Sequence, residues 1–110
     1  MTTITILKDK EKSYRGFLCM GHAGYAKKGQ PDILCSAISI LVIGTINSLE
    51  ELAGEKLTVA TNEETGFIRC DFQGSLQEKS SFLLDSMVFS LENLSREYGT
   101  EYLQVKFEEV

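Results

Sequence analysis

Between Asp32 and about Leu52 the chain leaves itself one conformation. Leu34, Ala37, Ile38, Leu41, Thr45, Ile46 and Leu49 recur at helical spacing, and Ile40, Val42 and Ile43 widen the stripe. A helix this apolar, with so few charges, needs cover on more than one side. A sheet would supply one side, and a second subunit is the candidate for another. Asp32 is placed to accept from free amides of the first turn, and Gly54 to end the helix.

The segments around this helix read as strands and one further helix. Thr2 to Leu7 alternates Ile4 and Ile6 with threonine, the charged stretch 8–12 is a turn, and Tyr14 to Met20 is a second strand. Lys56 to Thr61 and Gly66 to Phe72 form a hairpin around Asn62-Glu63-Glu64-Thr65. Ser75 followed three residues later by Glu78 fits a capping box, and the helix it opens carries Leu76, Leu83, Leu84, Met87, Val88, Leu91 and Leu94. That helix stops at Tyr98-Gly99, and Tyr102 to Glu108 closes the chain as an alternating strand. The order ββαββαβ predicts an α+β fold, a mostly antiparallel sheet packed against two helices. With 110 residues and no linker or repeat, residues 1–110 are expected to form a single domain.

Charge and cysteine usage narrow the function. A net charge of −5 argues against direct nucleic-acid binding, which needs clustered Lys and Arg, and suits a basic peptide or protein instead. Three cysteines, Cys19, Cys35 and Cys70, show no paired spacing, and the first residues lack the continuous apolar stretch of a signal peptide. Free thiols in a reducing cytoplasm are expected. No apolar run is read as reaching the length of a membrane span, so no membrane partner is expected.

The segment Gly21 to Ser39, GHAGYAKKGQPDILCSAIS, puts the chain's one histidine, His22, and Cys35 at the two ends of a loop that runs into the apolar helix. A thiol is a strong nucleophile only as thiolate, and a helix N-terminus and an imidazole both favour that form. First-turn amides could also hold a developing oxyanion. His22 would then act as general base and later as acid. The alternatives are a buried cysteine on the helix, the commoner fate of cysteine in general, and a solvent-exposed or strand-capping histidine. Asp32 is either a pure helix cap, the favoured role, or a third member that accepts from His22. Ser36 and Ser39 read as helix serines, one of which could bond within the site. Cys19 and Cys70 read as structural, with no second thiol near Cys35, and Lys27-Lys28 as a solvated loop tip. Neither metal-ligand spacing nor a phosphate-binding loop is present, and no cofactor is implied.

GHAGYAxxGxxDILCSAIS resembles the Gly-His-Ala…Gly…Asp-Ile-Val-Cys-Ala-Ala-Val-Ser signature of the bacterial ribosomal-processing cysteine proteases, the Prp family. The first strand, the element order and the length are similar over nearly the whole chain. The resemblance implies that His22 and Cys35 are the catalytic pair, with Gly21, Asp32 and Ser39 at the family's supporting positions. It also implies a homodimer and a mobile loop that covers the site. The implied substrate is the basic N-terminal extension of a large-subunit ribosomal protein, the twenty-seventh, cut after two aromatic residues and before a small residue and a basic stretch. Pro31 lengthens the loop by one residue, and Leu34-Cys35-Ser36 replaces the usual Val-Cys-Ala. Two rivals remain: a non-enzymatic ribosome-assembly factor that binds the same protein, and a thiol redox sensor using Cys35.

Overall fold

Alternating threonine and isoleucine make β1 (Thr2–Lys8) a strand that can sit in the middle of a sheet, and it does so. The computed structural model describes residues 1–27, 29–30 and 32–110; the expectations placed on Lys28 and Pro31 lie outside them. β2 (Tyr14–Met20) pairs antiparallel with β1. A hairpin of β3 (Leu57–Asn62) and β4 (Phe67–Phe72) joins β2 through β4, and β5 (Leu103–Glu109) runs parallel to β1 on its other edge. The order across the sheet is β3-β4-β2-β1-β5, so the ββαββαβ reading and the mostly antiparallel sheet hold. β2 falls where the periodicity places it, β1 and β4 differ by one residue at one end, and β3 and β5 are shifted by one residue at both ends.

Register sets one row that matters for the site. Val105, Ile4, Cys19, Ile68 and Thr61 are neighbours in turn across all five strands, so they share a face. The adjacent row runs Phe107, Ile6, Phe17, Cys70 and Val59. α1 (Ile33–Asn47) buries Leu34, Ile38, Val42 and Ile46 at steps of four, and α2 (Glu78–Tyr98) buries Leu84, Met87, Val88 and Leu91. These side chains join Ile4, Ile6 and Phe17 in one core.

Two helix boundaries differ from expectation. The first helix does not run on unchanged to Leu52: at Ser48–Leu52 it widens into a π-helical turn, in which Ala53 N–H donates to the Ser48 carbonyl at 3.0 Å. Leu49 stays fully buried in that turn. The second helix begins at Glu78, with Gln77 at the cap position and no side-chain cap, so Ser75 does not form the capping box. The entry is fastened from outside instead. Gln77 N–H donates to the Glu55 carboxylate at 3.0 Å, and Gln77 Nε2 donates to the Ala53 carbonyl at 2.8 Å.

The membrane expectation also needs correction. Ile33–Leu52 spans 20 helical residues and contains an 18-residue window with a mean hydropathy of 1.8, which by length and composition is enough to cross a bilayer. Its buried stripe ties it into the core, as in a core helix. The far side is bare, however: Ile33 is 66% and Ile40 75% exposed. The sheet thus covers one side of α1 and leaves the other open.

Candidate active site

The site begins where β2 ends. Gly21 has φ +86°, and a Cβ there would lie 2.3 Å from the Met1 carbonyl oxygen, so only glycine fits this bend. Its N–H donates to the Thr65 carbonyl at 3.1 Å, and its own carbonyl accepts from Thr2 Oγ1 at 3.3 Å. Gly21 is therefore clamped between the start of β1 and the β3–β4 turn. His22 follows, exposed, with Nε2 3.1 Å from the Glu64 carbonyl oxygen.

The loop then passes Tyr25, whose ring meets Tyr98 and Tyr102 edge-on at centroid distances of 5.1 and 5.2 Å. Asp32 closes it. One carboxylate oxygen accepts from Cys35 N–H at 2.9 Å, as an N-cap should, and the other accepts from Tyr25 N–H at 2.9 Å and Ala26 N–H at 3.4 Å. Asp32 therefore caps α1 and fastens the loop to it. It makes no bond to His22, whose partner is Glu64, so the third-member role falls away. The Cys35 amide, spent on the cap, is likewise not free to hold an oxyanion.

Partial burial pushes the Asp32 carboxyl pKa up, but the amides of Cys35, Tyr25, Ala26 and Leu34 outweigh it, and the net shift is downward. A carboxyl that titrates lower in the folded than in the unfolded chain contributes fully above its unfolded pKa. That contribution is lost as pH falls through the folded value. Acidification through the carboxylate range is expected to loosen the loop before the sheet melts, seen as faster amide exchange at Tyr25 and Ala26. Asp32→Ala should do the same at neutral pH and cost about 1 kcal/mol of stability.

Gly21, His22, Cys35 and Ser39 all line one cleft of about 310 Å³, with Thr2 and Cys19 beside them. Ser36 faces solvent. Of the three thiols, Cys35 alone is not buried. Burial pushes Cys19 up to about 11 and Cys70 up to about 12, which keeps both protonated near neutrality. Cys70 is the core residue the sequence implied. Cys19 is buried as well, but its place in the Ile4–Cys19–Ile68 row sets it at the cleft with Cys35, so a second thiol does lie near that residue. Cys35 sits in the first turn of α1, at the positive end of that helix. Among the described residues no three His, Cys, Asp or Glu side chains gather as a metal-binding group.

The far wall of the cleft comes from Thr61, Asn62, Glu63, Gly66, Phe67 and Ile68, where the sequence predicts only a hairpin. Ile43, Thr61 and Ile68 continue from it into an open groove between α1 and β3 that reaches Glu50.

Comparison with known proteins gives this geometry a context. Residues 1–104 match the family described as Cysteine protease Prp. The ribosomal processing cysteine protease Prp of Bacillus subtilis is 31% identical over 102 residues, covering 89% of this chain and 90% of that protein. The protein of the same name from Staphylococcus aureus is 24% identical over 99 residues, covering 90% and 92%. A crystal structure of the S. aureus protease Prp with a covalently linked product peptide superposes with a TM-score of 0.89 at 22% identity, over 98% of this chain and all of that one. A Streptococcus mutans structure gives a TM-score of 0.85 at 25% identity, over 100% of this chain and 96% of that one.

Proposed function

The chain belongs to the cysteine protease Prp family, and from that footing we propose that it removes the basic N-terminal extension of a large-subunit ribosomal protein, the twenty-seventh, with Cys35 as nucleophile and His22 as base. The observation that carries this reading is the shared cleft: the one thiol that is not buried and the one histidine line the same walls, at the N-terminus of an apolar helix. The relatives' names give ribosomal processing as their task, and the S. aureus structure holds a peptide product covalently.

Cleavage runs through a thioester. The Cys35 proton passes to the His22 imidazole, and the thiolate adds to the scissile carbonyl, forming a C–S bond. The positive end of α1 favours the oxyanion electrostatically, as the Cys35 amide is already bonded. Collapse breaks the C–N bond, and the imidazolium gives its proton to the departing amine. Water, deprotonated by the same imidazole, then adds to the thioester and releases the carboxylate and the thiol. Ser39 lines the cleft as a supporting hydroxyl.

The groove from the cleft to Glu50 suits an extended peptide, and a net charge of −5 suits a basic one. The bare side of α1, which carries Ile33 and Ile40, is the face on which a homodimer would form. Cytoplasmic action on a newly made ribosomal protein completes the proposal.

Mass spectrometry of the ribosomal protein precursor incubated with the wild-type protein tests it. Loss of the N-terminal extension as one peptide is the expected result. A precursor that stays at full mass and co-purifies with the protein would favour the assembly factor over the protease.

A further inference from the structure

We propose that the backbone carbonyl of Glu64, presented by a turn that Asn62 holds, is the group that orients His22 and selects its Nδ1 as the nitrogen that exchanges protons. This rests on His22 being the base of the cleavage reaction.

A carbonyl oxygen can only accept. With Nε2 of His22 3.1 Å from the Glu64 carbonyl oxygen, Nε2 carries the proton and donates it. The neutral ring then has its lone pair on Nδ1, across the Cε1 edge. In the reaction above, the Cys35 proton therefore moves to Nδ1. The imidazolium keeps its bond to Glu64 through Nε2–H, and the same Nδ1 proton leaves with the amine. The Glu64 oxygen stabilises the imidazolium without taking a proton, as an orienting carboxylate does in other triads. A neutral carbonyl holds the ring's direction with less pull on its proton than a carboxylate would.

The turn is built to hold that oxygen still. Asn62 Oδ1 accepts from Glu64 N–H at 3.1 Å, the Asn62 carbonyl accepts from Thr65 Oγ1 at 3.4 Å, and Gly66 N–H donates to the Glu63 carbonyl at 3.3 Å. Gly66, at φ +66°, leaves room for the ring: a Cβ there would stand 3.1 Å from His22 Cε1 and 2.5 Å from the Gly21 carbonyl oxygen. The Thr65 carbonyl meanwhile takes the Gly21 N–H at 3.1 Å. Residues 62–66 thus fix both the histidine and the backbone before it, and Asn62 is a positioning residue.

Because the chain has one histidine, ¹⁵N-histidine labelling gives a single imidazole to observe. In Cys35→Ala protein above the imidazole titration, Nε2 should carry the proton, and that proton should exchange far more slowly than in the denatured chain. Asn62→Ala should speed its exchange and, in the otherwise wild-type protein, lower kcat about 10–100-fold with little change in KM. Asn62→Asp, which keeps an acceptor for Glu64 N–H, should restore both. A proton on Nδ1, an Nε2 proton that exchanges as in the denatured chain, or Asn62→Ala with unchanged exchange and kcat would each overturn the proposal. The underlying reading fails separately, if His22→Ala cleaves like wild type whatever the tautomer.

Discussion

Cys35→Ala is expected to abolish cleavage while unfolding at the wild-type temperature. The substitution removes a sulfur from a half-buried position in the first turn of a helix whose cap, Asp32, bonds only to backbone amides of that turn and of the loop. Little packing is lost, yet the reaction loses its nucleophile. In comparable hydrolases that loss costs on the order of 10⁴–10⁶ in kcat. His22→Ala should fall as far, and the double variant no further, because a base without its nucleophile has nothing to activate. Initial rates on a peptide spanning the scissile bond, alongside thermal melts, would decide the matter. A Cys35→Ala rate within tenfold of wild type would end the thioester mechanism.

Gly21→Ala should damage stability and turnover together. Its backbone lies at φ +86°, where a side chain is strained by roughly 1–2 kcal/mol. The new methyl would also meet the Met1 carbonyl oxygen at 2.3 Å, backbone at the threshold of β1 that cannot swing aside as a side chain could. Together these should cost about 2–4 kcal/mol, a fall in Tm of roughly 10–20 °C. Turnover should drop further than stability explains, since His22 is the next residue. Gly24→Ala is the control. It has positive φ too, +66°, but nothing lies within 4 Å of its missing Cβ, so only the conformational strain applies. Equal melting temperatures for the two variants would show that the contact with Met1 is not what demands glycine at 21.

These two positions show what was legible in the chain. His22 and Cys35 could be placed at one site from sequence because each sits at a boundary that local chemistry marks: a strand ending in Gly21, and a helix opening at Asp32. The same local chemistry placed β2 correctly and put the other strand ends within one residue. What escaped were contacts between segments distant in the chain. Nothing near Asn62 or Glu64 announces that their turn will arrive beside His22, because that meeting follows from β4 pairing with β2. Cys19 was within reach: it shares the inward face of β2 with Phe17, two residues before Gly21, on the side of the sheet that packs against the core. Ser75 misled because a capping box is a local signal, whereas this helix is started by bonds from Gln77 to Glu55 and Ala53, which belong to another part of the fold.

The parallel pairing of β1 with β5 carries a consequence for how this molecule comes into being. Thr2 and Leu103 are neighbours in the sheet, although both helices and the whole hairpin lie between them in the chain. β1 leaves a translating ribosome well before β5 and must wait for it before its second edge is covered. Closing so long a loop is slow on the scale of local helix and hairpin formation. Thr2, which holds the Gly21 carbonyl, belongs to that waiting strand. The cleft is therefore assembled late, and a nascent chain would have no formed cleft until synthesis had passed β5.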